Sequence, residues 1–477
     1  MSAGILPARN IEWRKNCMSQ KNLTLAELSE RSLADSAARK RLTYLFDEGA
    51  FTELDPYAVS NGELSGVITA YGYVNGEPVY AFSQDASVKG GAMSRVQADK
   101  IAKVYDLAAK TGNPVVGFYD SFGADLEDGF AALSAYGELL MWTSNLSGVV
   151  PQIAVAAGVC SGTAAMLAES ADFTVLTKDA ELYVAPNSGI KNSADNAAGN
   201  GTAALVCEDD KAAAEAVKGL LAKLPQNNLS PVPVYEYDAP SAAFGSDAAA
   251  QAAALCDEGS VTELYADYGK AAFTALGTVN GSTVGVLATN KTSDKLCADD
   301  ASKLARFVRT CDAFAIPIIT FVDTEGFAAD DETEAAGAVK AMAKVAHAYA
   351  EATAIKLAVV TGKAYGSAYI ALAGKGANAD MTFALTDAVI SPLAPAAAVE
   401  FLHHDDLKGA SDLSAKRNEL AAKYEREEAS AVIAAQKGAV DAVVAPEGVR
   451  AAVAGALDIL AGKRISRLPK KHSNIQL

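Results

Sequence analysis

Histidine is scarce in this 477-residue chain, with four residues in all, two of them the adjacent His403 and His404. Neither has metal-ligand spacing to another histidine or to a cysteine, so both read as surface or helix-end residues. The same scarcity weakens a Ser-His-Asp hydrolase, and no G-x-S-x-G elbow is present. Neither GxGxxG nor GxxxxGK[ST] occurs, which disfavours a dinucleotide-binding or nucleotide-hydrolysing site. The six cysteines, Cys17, Cys160, Cys207, Cys256, Cys297 and Cys311, are scattered with no C-x-x-C pair. A zinc site or disulfide framework is therefore not expected, and a reducing cytoplasm fits. Positive charge is short as well: 41 Lys and Arg stand against 58 Asp and Glu, a net charge of −17. That disfavours non-specific binding to nucleic acid or an anionic membrane. There is no uncharged apolar run of about 18 residues to span a membrane. Residues 1–22 lack the apolar segment of a signal peptide and read as a polar tail.

What the chain does have is repetition. GVCSGTAAM begins at Gly158 and GKAYGSAYI at Gly362, so Gly162 matches Gly366, Thr163 matches Ser367 and Ala164 matches Ala368, all shifted by 204. Each copy follows an apolar run and precedes small, helix-compatible residues, the pattern of strand, glycine turn and helix. Glycine allows close backbone approach, and a starting helix leaves N–H groups unpaired at its positive end. Such a turn can hold a carbonyl oxygen that becomes an enolate oxygen. The simpler reading, helix–strand packing at a small-residue turn, covers one copy more easily than two in matching surroundings.

Four further echoes share one order. LFDEGAFTELDPYAV at 45 returns as LCDEGSVTELYADYG at 255, and YGYVNGEPVYAFSQD at 71 as LGTVNGSTVGVLATN at 276. PVVGFYDSFGA at 114 returns as PIITFVDTEGF at 317, and AESADFTVLTKDAEL at 168 as GANADMTFALTDAVI at 376. A period this long means two copies of a domain, not a solenoid. Alternating strands and helices imply α/β layering. The proline-rich and small-residue stretch from 225 divides the chain near 240, giving an N-terminal domain at 23–240 and a C-terminal one at 241–477. V-N-G between β-rich runs predicts hairpins. Helices are expected over 23–46, 89–111 and 208–224, a strand pair over 171–186, and a loop over 186–204. The basic cluster Arg39, Lys40, Arg41 reads either as a solvated helix face or as a dock for ligand phosphates. Lys89 and Arg95 flank a helix start where an anion could sit. Asp120 and Asp323 occupy equivalent strand ends, suited to acid–base work or, more simply, to loop structure.

FDEGAFTELD, YAFSQD with KGGAMS, ARFVRTCDAFAIPIITFVDTEGF, KAYGSAY and the closing KKHSNIQL resemble the carboxyltransferase component of biotin-dependent acyl-CoA carboxylases and decarboxylases, of the propionyl-CoA carboxylase beta and methylmalonyl-CoA decarboxylase alpha type. The resemblance runs from about residue 24 to the end of the chain. It implies two tandem crotonase-like domains and a hexamer whose active sites lie where the first half of one subunit meets the second half of another. Acyl-CoA is expected on the first half and carboxybiotin on the second. The N–H groups of Gly162 and Thr163 would hold the thioester oxygen, and those of Ser367 and Ala368 the biotin ureido oxygen; Gly162→Pro is the test this suggests. Gly366, Ile370, Gly90, Gly91, Phe122 and Gly123 are the expected substrate-binding residues, and Arg39, Arg41, Lys89 and Arg95 the expected partners of the CoA phosphates. No metal is implied. The implied partners are a biotin carboxyl carrier protein and a biotin carboxylase or membrane decarboxylase subunits, in the cytoplasm or at the edge of a membrane complex.

The chain departs from the family pattern at the turns. Thr163 and Ser367 stand where the family has a second glycine, and Asp120-Ser121-Phe122-Gly123-Ala124-Asp125 replaces D-S-G-G-A-R. TEGFAAD at 324 replaces P-G-F-x-P-G, and PLAPAAA at 392 replaces M-G-x-E-G-A. These losses raise a second expectation, a non-catalytic or re-purposed paralogue that serves assembly. Ala341-Met342-Ala343-Lys344 looks like a biotin-attachment motif but sits in a helical run, so the biotin carrier is expected on another chain.

Overall fold

The structure, a computed structural model, describes residues 35–475 apart from 61–62, 186–188, 190–192, 378 and 466–467. The polar tail and the first part of the helix expected over 23–46 lie outside the described residues. The first half runs α1 (Ala37–Leu45), β1 (Phe51–Leu54), β2 (Val67–Val74), β3 (Glu77–Gln84), α2 (Arg95–Thr111), β4 (Val115–Ser121), α3 (Phe130–Leu146), β5 (Gln152–Ser161), α4 (Thr163–Ala168), β6 (Phe173–Thr177), β7 (Glu181–Tyr183), α5 (Ser193–Gly199), β8 (Leu205–Cys207) and α6 (Asp210–Leu221). The second half repeats the plan. It runs α7 (Ala248–Leu255), β9 (Thr262–Glu263), β10 (Phe273–Val279), β11 (Ser282–Ala288), α8 (Ala298–Ala313), β12 (Ile318–Thr324), α9 (Ala338–Glu351), β13 (Lys356–Tyr365), α10 (Gly366–Leu372), β14 (Met381–Leu385), β15 (Val389–Ser391) and β16 (Ala442–Val444).

Each half builds an eight-stranded sheet, ordered β1-β2-β3-β4-β5-β6-β8 with β7 on β5, and β9-β10-β11-β12-β13-β14-β16 with β15 on β13. The V-N-G hairpins form as expected. Asn75 and Gly76 have φ of 54° and 80°, Asn280 and Gly281 of 51° and 76°, the left-handed pair that matches strand twist. A Cβ on Gly281 would overlap the carbonyl of Tyr235, because the segment between the halves lies across that hairpin and bridges Val234 to Ser282. Past each hairpin the pairing becomes parallel, since a helix now connects the strands. Helix α2 begins where Ser94 accepts from Gln97 N–H and ends at Gly112, φ 71°.

Two expectations are corrected. The two strands expected as a pair over 171–186 do not pair with each other: β6 and β7 both run parallel to β5, at successive positions along it. The stretch read as a loop contains α5, whose Ser193 hydroxyl accepts from Leu182 N–H and fastens the helix to β7. One apolar cluster runs through both halves, from Leu42, Phe118 and Val217 to Phe307, Val308 and Val360. Burying each such side chain contributes roughly 1.5–3 kcal/mol, so the two copies share a core.

Both central strands bend at the same place. Pairing of β4 with β5 shifts between Tyr119 and Ser121, and pairing of β12 with β13 between Val322 and Thr324. At the shift, Asp120 and Asp323 turn their carboxylates under the next strand, beneath Gly158 and Gly362. A Cβ on either glycine would overlap a carboxylate oxygen. Lys363 N–H donates to Asp323 at 2.8 Å, and Val159 N–H serves Asp120 in the same way. Asp120 is also held by Arg41 at 3.0 Å.

The repeat extends to two buried lysines. Lys100 donates to Val67 O at 2.7 Å, and Lys303, shifted by 203, donates to Ala272 O at 2.7 Å and Tyr268 O at 2.9 Å. Burial lowers both ammonium pKa values to about 8.

Gly158→Ala should destabilise the chain by about 1–3 kcal/mol, the usual range for forcing extra volume into a packed site. Gly219→Ala in α6, with nothing within 4 Å of the added carbon, should be neutral or stabilising. Thermal unfolding of the pair checks this, and equal effects would refute the carboxylate contact. For the lysines, the folded-state pKa lies below the unfolded one. The unfolded chain therefore binds more protons between about 8 and 10.5, and this pair's contribution to stability rises with pH across that window. The deficit of Lys303→Met relative to the parent chain in urea titrations should accordingly widen from pH 8 to pH 10; a constant deficit would contradict it.

Candidate functional site

The first glycine turn joins β5 to α4. Gly162 adopts φ 60°, ψ −122°, a conformation that strains any residue with a Cβ. Its carbonyl accepts from Met166 N–H at 3.1 Å, while its own N–H donates to Tyr183 O at 3.1 Å. That second bond extends the β5–β7 ladder by one residue, so the Gly162 amide is not free to meet a ligand. The next amide is different. Thr163 is half-buried and has no backbone acceptor for its N–H among the described residues, because it opens the helix.

The second turn joins β13 to α10. Gly366 has φ 50°, and a Cβ there would stand 3.0 Å from Pro392 O. Ser367 is exposed, again with no backbone acceptor among the described residues. Ala368 is fully buried, and its amide faces no open space. The four amides expected from the sequence therefore reduce to two, Thr163 and Ser367, which occupy equivalent positions 204 residues apart. Tyr183 and the core beneath α10 account for the loss of Gly162 and Ala368.

A loop wall stands beside each turn, and it too is duplicated. Phe122 N–H donates to Gly90 O at 3.2 Å and Asp125 N–H to Met93 O at 2.9 Å. In the second half Glu325 N–H donates to Asp294 O at 2.7 Å and Ala328 N–H to Leu296 O at 2.9 Å. Ser121 and Thr324 hydroxyls each accept from the N–H two residues on, at 3.1 Å. Gly123 lies next to the first turn, its missing Cβ 4.0 Å from Thr163 Oγ1. Phe122, 55% exposed, lays its ring over Gly90. Gly91 is buried against the Asp120 carbonyl, which leaves no room for a Cβ. Gly90 and Gly91 thus seat the wall from beneath, and Gly91 does not face the opening as expected. Ile370, 61% exposed, sits on α10 beyond Ser367 at the rim of a cavity of about 180 Å³ shared with Tyr369, Lys375 and Ala439.

Two residues escaped the sequence reading. Tyr136 on α3 is buried and faces Thr163 and Ser121, and burial pushes its pKa up to about 12, so it remains protonated at neutral pH. Only its helical spacing toward the core hinted at it. Lys363, three residues before Gly366, bridges Asp294 and Glu325 at 2.9 Å each, and these bonds raise its pKa. Lys363 opens the KAYGSAY motif, but nothing local indicated its acidic partners.

The phosphate candidates divide. Arg41 is withdrawn: it is 4% exposed and donates to Asp120, Asp210, Gln84 O and Ala157 O. That bonding makes it part of the core beneath the first turn. Arg39 pairs with Glu53 at 2.5 Å and lies over the Phe51 ring. Lys89 pairs with Asp125 and Glu127, and Arg95 with Asp99 and Glu138. Asp125 stands where the resemblance expects arginine. Partly exposed pairs of this kind contribute little and exchange partners readily, so Arg39, Lys89 and Arg95 keep the capacity to meet a phosphate. Among the described residues no group of three or more His, Cys, Asp or Glu could hold a metal ion, and no helix is long and apolar enough to cross a membrane. Lys344 of the A-M-A-K stretch lies within α9, in the helical run expected.

Residues 30–475 match the Carboxyl transferase domain family. The chain is 36% identical to methylmalonyl-CoA decarboxylase subunit alpha of Propionigenium modestum, across 92% of this chain and 93% of that one. It is also 36% identical to the propionyl-CoA carboxylase beta chain of Saccharopolyspora erythraea, across 94% and 93%. A solved structure of transcarboxylase 12S, described as a hexamer and holding methylmalonyl-CoA and methylmalonic acid, aligns with a TM-score of 0.87 and 32% identity over 92% of both chains. The two duplicated sheets accordingly have the crotonase-like fold expected, and the relatives agree on carboxyl transfer on acyl-CoA. With this coverage the chain belongs to the carboxyltransferase family of the propionyl-CoA carboxylase beta and methylmalonyl-CoA decarboxylase alpha subunits.

Proposed function

We propose that this protein moves a carboxyl group between carboxybiotin, carried on a separate biotin carrier protein, and the α-carbon of a short-chain acyl-CoA. The observation that carries the reading is a pair of amides without a backbone acceptor among the described residues, Thr163 and Ser367, at equivalent positions of two turns. One copy suits the thioester oxygen and the other the ureido oxygen of biotin, since both acquire negative charge as the carboxyl group moves. Acyl-CoA belongs to the first half (23–240) and biotin to the second (241–477), where Ser367 is open and its neighbours Gly366 and Ala368 are small. Carboxybiotin supplies the carboxyl group and, once it has lost it, the base that takes the α-proton. The α-C–H bond breaks, that proton ends on the ureido nitrogen, and the α-carbon forms its new bond to the carboxyl carbon. The reverse sequence is decarboxylation. Thr163 N–H holds the enolate oxygen throughout, Phe122 and Gly123 wall the acyl side, and Ile370 gives an apolar rim that suits a short chain. Arg39, Lys89 and Arg95 exchange their carboxylates for CoA phosphates. A hexamer working with a biotin carboxylase or membrane decarboxylase subunits in the cytoplasm, or at a membrane's edge, fits the similarity to transcarboxylase 12S and to the decarboxylase alpha subunit.

A second reading, a subunit that assembles without turnover, draws on one observation: each cation expected for CoA already has an acidic partner or is buried. Calorimetry with acetyl-, propionyl- and malonyl-CoA separates the two. Micromolar binding of any one supports the enzyme, and no binding of all three supports the assembly subunit.

Gly162→Pro is a poor test of the amide, since φ 60° excludes proline and the Gly162 N–H belongs to the ladder. Thr163→Pro is the better variant. Proline is favoured at the first helical position, so the fold should persist while the one open N–H disappears. Turnover should fall roughly 100- to 1000-fold with unchanged circular dichroism. Full activity in a folded Thr163→Pro protein would rule out the amide's role.

A further inference from the structure

A cavity lies away from both turns, in the cleft between the halves. It measures about 650 Å³ and has Ser147, Gly148 and Asp172 on the first-half side and Ser302, Arg306 and Lys344 on the other, with Ile475 closing one end. That volume lies within the range of small-molecule sites. Its lining holds four cationic side chains, the others being Lys303 and Arg309, and one acid, Asp172. Such a balance is the reverse of the whole chain, whose net charge is −17.

These cations are not equivalent. Lys303 is saturated by backbone carbonyls. Arg309 reaches Glu351 only at 3.5 Å, and Glu351 is shared with Lys470 and Ser473. Arg306 uses Nη2 to hold the carbonyls of Ala171 and Asp172 at 3.0 and 3.3 Å and also meets the Tyr265 hydroxyl; it forms no ion pair among the described residues, and the buried carboxylates of Glu169 and Asp172 lie within its field. The ammonium of half-buried Lys344 meets only the Ser302 hydroxyl, at 3.4 Å, among the described residues. Elsewhere on this acidic surface lysines such as Lys103, Lys178 and Lys363 each hold a carboxylate. A concave wall with an excess of positive charge focuses its field on whatever enters. The Arg306 fork, the Lys344 ammonium and the Ser302 hydroxyl offer donors from three directions, the arrangement that suits a tetrahedral oxyanion. Ala305, Ala313 and Ile475 give the same cavity an apolar side.

We infer that the cleft between the two halves is a binding site for a small organic phosphate, its dianionic head on Arg306, Lys344 and Ser302 and a compact apolar body against Ala305, Ala313 and Ile475. The helical lysine of the A-M-A-K stretch is then a ligand contact and not an attachment point. Arg306 also grips the segment that follows α4, so an occupant would bear on the helix that presents Thr163.

Calorimetry on the full assembled protein at low ionic strength tests this, with inorganic phosphate and phenyl phosphate as probes. Phenyl phosphate should saturate one site per chain and bind at least about threefold more tightly than inorganic phosphate. Lys344→Gln, which removes no structural contact beyond Ser302, should weaken it about tenfold, a loss of about 1.4 kcal/mol. Lys344→Arg should bind within about threefold of the parent, and Lys89→Gln, in the cluster beside the first turn, should bind as the parent does. Absence of saturable binding, or a Lys344→Gln protein that binds normally, overturns the site. A loss that follows Lys89 assigns the phosphate to the acyl-CoA site and overturns it equally. Equal affinity for the two probes overturns the organic body. Turnover plays no part in the readout, so failure here leaves the carboxyltransferase reading untouched.

Discussion

A buried carboxylate beneath a glycine is the contact on which both turns depend. Asp120 and Asp323 end the strands that precede β5 and β13, and each carboxylate occupies the space a Cβ would need at Gly158 and Gly362. In return each accepts the following N–H, from Val159 and Lys363. The long strand is thereby pulled toward its neighbour where the ladder register shifts, and its last residues swing out to pair with a short third strand. The turn, its helix and its open amide all follow from that deflection. Burying a carboxylate is costly unless its lone pairs are met, so the surroundings that meet them are as much part of the site as the turn.

Those surroundings differ between the copies. In the first half Arg41 reaches Asp120, and burial, which raises the Asp120 pKa, is opposed by that guanidinium. Gln251 stands at the matching place in the second half, shifted by 210, and donates to Ser246 O and Thr361 Oγ1. Asp323 is met by Asn290 at 3.4 Å and by backbone. The two copies thus share their hydrogen-bond geometry while one support is charged and the other neutral. Geometry here needs a lone-pair partner and a glycine, and the charge of the partner is free to drift. That explains why the landmarks V-N-G, Asp and the turn glycines persist in both copies when the residues around them do not.

The sequence carried the fold in its repeats, and the reason is physical. Hairpin turns, strand-ending glycines and helix caps are local, so Asn75-Gly76 and Asn280-Gly281 announced themselves without tertiary information. What stayed hidden depends on distant partners. Whether Gly162 N–H is free is decided by Tyr183, which arrives through a strand of three residues. Whether Arg41 is a surface cation is decided by Asp210, 169 residues away. No periodicity distinguishes a strand that pairs once from β5, ten residues long, which takes β6 and β7 in succession. The loop read over 186–204 concealed α5 because seven residues are too few to show a helical period.

The departures from the family pattern look different once the amides are sorted. Where the family repeats glycine, this chain has Thr163 and Ser367, and each added side chain crowds the approach to its turn. Yet the residue that must be glycine is the one before, with φ of 60° or 50°. The residue after it stands in the first turn of a helix, first in α4 and second in α10, where any side chain is allowed and the N–H has no backbone acceptor among the described residues. A hydroxyl-bearing residue there costs the backbone nothing and adds polar atoms beside the amide, with Tyr136 behind Thr163 in the first half. The loop change works in the opposite sense, since Asp125 puts a carboxylate on Lys89 where an arginine was expected. Substitution at the turns leaves the Thr163 and Ser367 amides without a backbone acceptor among the described residues. Substitution in the loop gives an acidic partner to Lys89, one of the cations proposed for the CoA phosphates. Any divergence of this protein from its relatives should therefore appear first in what it binds and only afterwards in how it reacts.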